Sequence, residues 1–164
     1  MMEVLTYYNF KYVIIDNFFD EKLFTTFKNY KIPITDTVDV ENITHIFKNF
    51  LSYYDNILNN VFTLLNPNKK SLITTSKLES VCTGPNMYYP LHTDIPQKLL
   101  SVVIYVKPQI NTGTFLFSDN KANNKKEIKW IPNRAFIFSR NENTWHNYCG
   151  DGKNIRHVLS YTLR

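Results

Sequence analysis

His92-Thr93-Asp94 is the segment of this chain best equipped for chemistry. In extended backbone, residues i and i+2 point to one face, so an imidazole nitrogen and a carboxylate oxygen stand side by side. A third ligand from a distant strand would complete a set of two histidines and one carboxylate. Such a set leaves three adjacent positions open on an octahedral metal, the arrangement that suits non-haem Fe(II) sites. His146, in Thr144-Trp145-His146-Asn147-Tyr148, is the best third ligand. Arg156 follows ten residues later, and its guanidinium can take a carboxylate in a two-pronged pair that lysine does not match. His157, its neighbour, would point to the opposite face and reads as structural.

Positioning these groups requires strands, and the sequence offers them. From Ser71 onward, short β-branched and aromatic runs alternate with turn signals. The expected strands cover 77–83, 87–93, 99–107, 113–118, 127–131, 134–139, 144–149 and 155–163. About eight strands at such spacing indicate a sandwich, barrel or jelly roll. Ahead of them, Phe10 to Asp16 reads as a strand, and Glu21 to about Lys28 as a helix capped by Asp20. A longer helix is expected from about Val40 to Leu65, capped by Asp39. Its apolar stripe is Ile43, Ile46, Phe47, Phe50, Leu51, Tyr54, Ile57, Leu58, Val61, Phe62 and Leu65. His45 falls on that helix as a surface residue. The fold class is therefore mainly β with N-terminal helices (α+β), one long and one short helix buttressing a β-fold.

Composition agrees. A chain of 164 residues with 43% hydrophobic and 20% charged residues reads as a single globular domain spanning 1–164. Within it, 1–70 forms the N-terminal strand and helical buttress and 71–164 the β-core. Aromatics reach 15%, enough large side chains to fill a core. Four glycines exclude collagen-like repeats, and no apolar run approaches the ~20 residues of a membrane helix. Without a visible secretory peptide, a cytoplasmic location is expected. Cys82 and Cys149 form no C-x-x-C unit and read as free thiols. The net charge of +5 comes largely from lysines in polar stretches, notably Lys121, Lys125, Lys126 and Lys129. Charge of this kind can attract a polyanion, but lysine usage spread over solvated loops is the favoured explanation.

At this point the sequence resembles the Fe(II)/2-oxoglutarate-dependent oxygenase superfamily, specifically its prolyl-hydroxylase-like branch. Tyr12-Val13-Ile14-Ile15-Asp16-Asn17-Phe18-Phe19 is similar to the opening strand and turn, and Met87 to Asp94 to the first metal motif. Leu99 to Val106 resembles the strand that follows. Thr112-Gly113-Thr114-Phe115-Leu116-Phe117 stands in the place of the G-G-x-L segment, with one glycine of the pair kept. Pro132 to Phe138 stands in the place of P-x-x-G-x-x-x-x-F, with Arg134-Ala135 where a glycine is usual.

The resemblance implies a double-stranded β-helix, a cupin-like jelly roll of two four-stranded sheets with the metal between them. Fe(II) would be held by His92, Asp94 and His146, and the distal carboxylate of 2-oxoglutarate by Arg156, with Tyr105 and Tyr88 as candidate hydroxyl donors to it. The implied activity is hydroxylation of a C–H bond, coupling O2 activation to decarboxylation of 2-oxoglutarate to succinate. A protein side chain such as proline is the favoured substrate. Nucleic acid or a small molecule is the alternative, although the R-x-N-x-x-x-R tail of nucleic-acid demethylases is absent between Arg156 and Arg164. A non-oxidising cupin-like metal- or ligand-binding protein is a different class; a closed zinc site would want a fourth nitrogen or sulfur ligand. Asp151-Gly152 alone reads as a tight hairpin, whereas the resemblance implies that the flanking strands cross between sheets. The lysine-rich loop from Ser118 to Glu127 could serve as a lid.

Overall fold

A computed structural model describes residues 2–31 and 36–164. Strands β1 (Leu5–Tyr7) and β2 (Phe10–Ile15) open the chain, followed by α1 (Glu21–Lys28), β3 (Val38–Asn42), α2 (Lys48–Leu65) and a 3-10 turn at Pro67–Leu72. The β-region comprises β4 (Ser76–Thr83), β5 (Tyr88–His92), β6 (Leu100–Lys107), β7 (Thr114–Leu116), β8 (Lys126–Ile128), β9 (Ala135–Ser139), β10 (His146–Cys149) and β11 (Arg156–Leu163). Two antiparallel sheets form. The larger runs β1-β2-β9-β6-β11-β4-β3 and the smaller β5-β10-β7-β8. Four strands of each sheet come from the β-region, as the jelly roll requires, and β1, β2 and β3 extend the larger one. β10 and β11 lie in different sheets, so Gly150-Asp151-Gly152 joins two layers.

Alternation along the strands divides the core in two. Ala135, Ile137, Leu159 and Tyr161 face the helices, where Phe19, Phe27, Leu58 and Phe62 meet them. Phe136, Phe138, Tyr105 and Val158 face inward and pack against Leu116 and Ile128 of the smaller sheet. The side chain of Asp20 caps α1, accepting from Leu23 N at 2.9 Å. Among the described residues, no helix is long and apolar enough to cross a membrane.

The long helix begins later than expected. Val38–Asn42 is a strand, paired with β4 from Val38↔Thr83 to Asn42↔Glu79. Val38 and Val40 alternate with Asp39 and Glu41, a period of two that suits a strand edge. Asp39 therefore does not cap α2, which starts at Lys48 after Phe47 with no side-chain cap. His45 precedes the helix, in a turn, and is exposed. Phe50 and Leu51 of the expected stripe lie outside the described side chains; Leu58, Val61 and Phe62 are buried as that stripe requires. The two cysteines are free.

One loop replaces the usual glycine with another device, and a second depends on the glycine it keeps. Asn133 adopts φ +64°, which asparagine tolerates better than most residues. Its amide bonds Phe19 N and Phe19 O, both at 2.9 Å, tying the turn before β9 to the N-terminal segment. Gly113 is needed for close approach: a Cβ there would stand 1.8 Å from Ile128 O. The Glu127 carboxylate accepts from Gly113 N at 3.0 Å and so ties β8 to the segment before β7.

Candidate metal and keto-acid site

β5 and β10 are adjacent antiparallel strands, and His92 and His146 are direct cross-strand partners. Their ring centroids lie 4.3 Å apart. Asp94, just beyond β5, is buried. One ligand atom each from His92, Asp94 and His146 falls within 4.8 Å of the others. Both imidazoles are oriented by backbone carbonyls: His92 Nδ1 lies 2.9 Å from Pro90 O, and His146 Nδ1 2.8 Å from Thr144 O. A carbonyl only accepts, so each Nδ1 carries the proton and each Nε2 keeps a lone pair for a metal.

The carboxylate is held as firmly. Ser101 Oγ donates to Asp94 Oδ2 at 2.5 Å, and Lys98 Nζ to Asp94 Oδ1 at 3.0 Å. Arg140 Nε donates to the Asp94 carbonyl at 3.0 Å. Burial alone would raise the Asp94 carboxyl, but His146, Lys98 and the Ser101 hydroxyl outweigh it, and it sits below its ordinary range. Burial lowers His146 to about 4, against which the Asp94 charge works only in part, so the ring is neutral at pH 7. Two imidazoles presenting Nε2 and a carboxylate held below its ordinary range fit a hard divalent ion with open positions.

Arg156, the first residue of β11, is 1% exposed and lines the same cavity of about 200 Å³ as the triad. Its guanidinium carbon lies 4.3 Å from the Tyr148 ring centre, 5.4 Å from Trp130 and 5.7 Å from Tyr105. Nε has no hydrogen-bond partner, and no carboxylate pairs with the group among the described residues. Burial pushes its pKa down, although it remains a cation. A buried cation in a cavity without a counter-ion is a site for an anion.

Neither predicted tyrosine lines the cavity, for different reasons. Tyr105 stacks on Trp130 behind Arg156, but its hydroxyl is engaged by Thr114, donating to Oγ1 at 2.9 Å and accepting from Thr114 N at 3.0 Å. Tyr88 is 58% exposed, is not among the cavity-lining residues, and accepts from Asn147 Nδ2 at 3.1 Å. Tyr89 lines the cavity instead. The cause is an irregularity at Pro90-Leu91: three steps separate Tyr89 from His92, where two separate their partners Tyr148 and His146. The extra residue shifts strand parity, as a bulge does, and turns Tyr89 inward with His92.

Residue types and spacing do not single out Lys98, Ser101, Arg140, Tyr89, Thr114, Trp130 or Tyr148. Period two would find Ser101, on the face of Val103, and Tyr148, two residues after His146. Nothing in spacing marks Lys98 or Arg140. His157 is fully buried on the other face of β11, with Nε2 2.9 Å from Ser80 Oγ. The loop after Ser118 is folded on itself through the Asp119 carboxylate, which accepts from Lys121 N and Asn123 N, and contributes nothing to the cavity lining.

No protein-family model and no curated protein matches the chain. Solved structures do. A prolyl-4-hydroxylase from Pseudomonas putida superposes with a TM-score of 0.68 at 13% identity, covering 95% of this chain and 93% of that one. A prolyl hydroxylase from Trichoplax adhaerens, in complex with a hypoxia inducible factor peptide fragment, gives 0.67 at 16% identity over 93% and 82% of the two chains. A viral collagen prolyl hydroxylase from Paramecium bursaria Chlorella virus-1, in a 2OG complex, gives 0.66 at 14% identity over 93% and 94%. The chain thus has the jelly-roll fold of the 2OG-Fe(II) oxygenases, in the form that prolyl hydroxylases take.

Proposed function

We propose that this protein is an Fe(II)- and 2-oxoglutarate-dependent dioxygenase that hydroxylates a C–H bond, most fittingly on a protein side chain such as proline. The observation that carries the reading is the unpaired, buried Arg156 sharing one small cavity with His92, Asp94 and His146. A metal triad alone would suit many cupin-like proteins. A metal triad with a buried guanidinium facing the same space suits a ligand that chelates metal at one end and is a carboxylate at the other.

The residues divide the work. His92 and His146 offer Nε2, their Nδ1 protons fixed on Pro90 and Thr144, and Asp94 offers one carboxylate oxygen while Ser101 holds the other. Fe(II) bound there would, with 2-oxoglutarate and O2, supply the oxidising power for the hydroxylation, 2-oxoglutarate being converted to succinate and CO2. Arg156 receives the distal carboxylate and fixes which end of the co-substrate faces the metal ligands. Phe138 and Val158 line the space between and exclude water.

A protein substrate is supported by the rim. Val40 and Tyr89, which line the cavity, and Ile95, next to Asp94 in the chain, are each more than a third exposed and apolar or aromatic. The lysines that could attract nucleic acid are elsewhere: none of Lys121, Lys125, Lys126 or Lys129 lines the cavity, and Lys125 packs over Phe115 at 3.7 Å. The test is anaerobic addition of Fe(II) and 2-oxoglutarate, expected to give the weak visible charge-transfer band of a chelated keto acid. Succinate release is then measured with proline-containing peptides, free amino acids and single-stranded DNA. Absence of the band in the wild type overturns the enzyme reading, and succinate release coupled to DNA alone overturns the choice of substrate.

A further inference from the structure

Among the described residues, Tyr148 is the one aromatic ring that touches Arg156 and also lines the cavity. Two observations give it a role of its own. Along β10 it stands two residues after His146, so the strand puts a metal-ligating imidazole and this ring on one face, roughly 7 Å apart at ~3.4 Å per residue. The guanidinium carbon then sits only 4.3 Å from the ring centre. The ring is also stacked on Tyr89 at 5.3 Å and 17°, and Tyr89 in turn abuts His92 at 4.8 Å. Guanidinium, two phenol rings and imidazole therefore form one continuous row running from the anion site to the metal ligands.

We propose that Tyr148 is a specificity-determining residue that sets the length of the keto diacid. Its ring holds Arg156 at a fixed distance from His146, so that a five-carbon 2-oxo diacid spans the gap and a six-carbon one does not. The inference rests on the keto-acid reading above. The ring face performs the task; the hydroxyl, 3.4 Å from Thr83 Oγ1, makes only a long hydrogen bond outside the cavity function. Backing the ring with Tyr89 keeps it from swinging away, which is why the selectivity depends on a stack and not on one side chain.

The test is equilibrium binding of 2-oxoglutarate and 2-oxoadipate to the full chain loaded with Mn(II), read by isothermal titration calorimetry. Wild type is expected to prefer 2-oxoglutarate by at least about tenfold. Tyr148→Ala should weaken 2-oxoglutarate about tenfold and bring the two affinities within about threefold of each other, with Mn(II) affinity unchanged. Tyr148→Phe should keep both the affinity and the preference. Tyr148→Leu preserves apolar fill in the strand and should show the same loss of preference as alanine if the latter folds poorly. An unchanged preference in Tyr148→Leu, or an equal loss in Tyr148→Phe, overturns the role of the ring. A wild type that binds 2-oxoglutarate without preferring it over 2-oxoadipate overturns the length filter alone, and one that binds neither acid overturns the keto-acid reading beneath it.

Discussion

Arg156 is the residue in which function and stability pull apart. A buried cation without a counter-ion costs folding free energy, and replacing buried charge by an apolar side chain of similar length is often neutral or stabilising by about 1–4 kcal/mol. Three aromatic rings offset part of this cost. Arg156→Met is therefore expected to leave the thermal midpoint unchanged or raise it by a few degrees, as measured by calorimetry of the ligand-free protein. The same change should weaken 2-oxoglutarate roughly 100-fold, since truncating one partner of a buried charge pair costs about 2–5 kcal/mol. A marked fall in midpoint would show that the rings need the guanidinium for packing. Ser101 makes a complementary case: its hydroxyl restrains Asp94 Oδ2 without being a ligand itself. Ser101→Ala should lower divalent-metal affinity roughly tenfold, the usual scale for a group that orients a ligand. An Mn(II) titration followed by electron paramagnetic resonance reads this directly, and unchanged affinity would assign the orientation of Asp94 to Lys98 and Arg140 instead.

At the level of strands and helices, local signals fail where pairing decides. The strands of the β-region and α1 are legible because turn residues punctuate them and alternation runs through each. Asp20 both predicts the start of α1 and performs it; Asp20→Ala should cost about 1 kcal/mol in a urea unfolding titration, with no change in slope. Val38–Asn42 misleads because apolar residues at three- and four-residue steps continue back from α2, while the partner that makes it a strand, β4, is about forty residues away. Tyr88 and Tyr89 show the same limit on a finer scale. Parity from His92 favours Tyr88 as the inward ring, and only the irregular pairing of β5 with β10 at Pro90-Leu91 reverses it. The His92, Asp94, His146 and Arg156 set escapes this problem, since types and spacing point to it without any pairing register. Gly113 tests how far β7 and β8 depend on close approach. Gly113→Ala places a methyl against Ile128 O, so the pair must separate, and unfolding is expected several degrees lower.

Over the whole molecule, the jelly roll buries one imidazole on each sheet, His146 on β10 and His157 on β11, and this makes its stability depend on pH in a defined window. His157 is fully buried against Ser80 on the face opposite the cavity, and burial, with the nearby Lys107 charge, lowers it to about 4. His146 is lowered to about 4 as well, by burial first. An unfolded chain titrates these rings near 6.5. Between about pH 6.5 and 4 the unfolded state therefore binds protons that the folded state refuses, and stability must fall as the solution is acidified through that range. Above pH 6.5 both states hold the rings neutral and the dependence vanishes. Each proton refused by the folded state costs about 1.4 kcal/mol for every pH unit of the window, so each ring accounts for roughly 3 kcal/mol across it. Depressed carboxyls such as Asp16 and Asp94 contribute in a different range, from their unfolded values near 4 downward. Urea unfolding of the metal-free protein at intervals from pH 7.5 to 4.5 should show this decline, and His157→Gln should flatten it by about half while leaving metal and keto-acid binding intact. An equally steep decline in His157→Gln would place the proton uptake on His146 and the surface of the fold, and would mean that the Ser80–His157 contact opens to water before the sheet does.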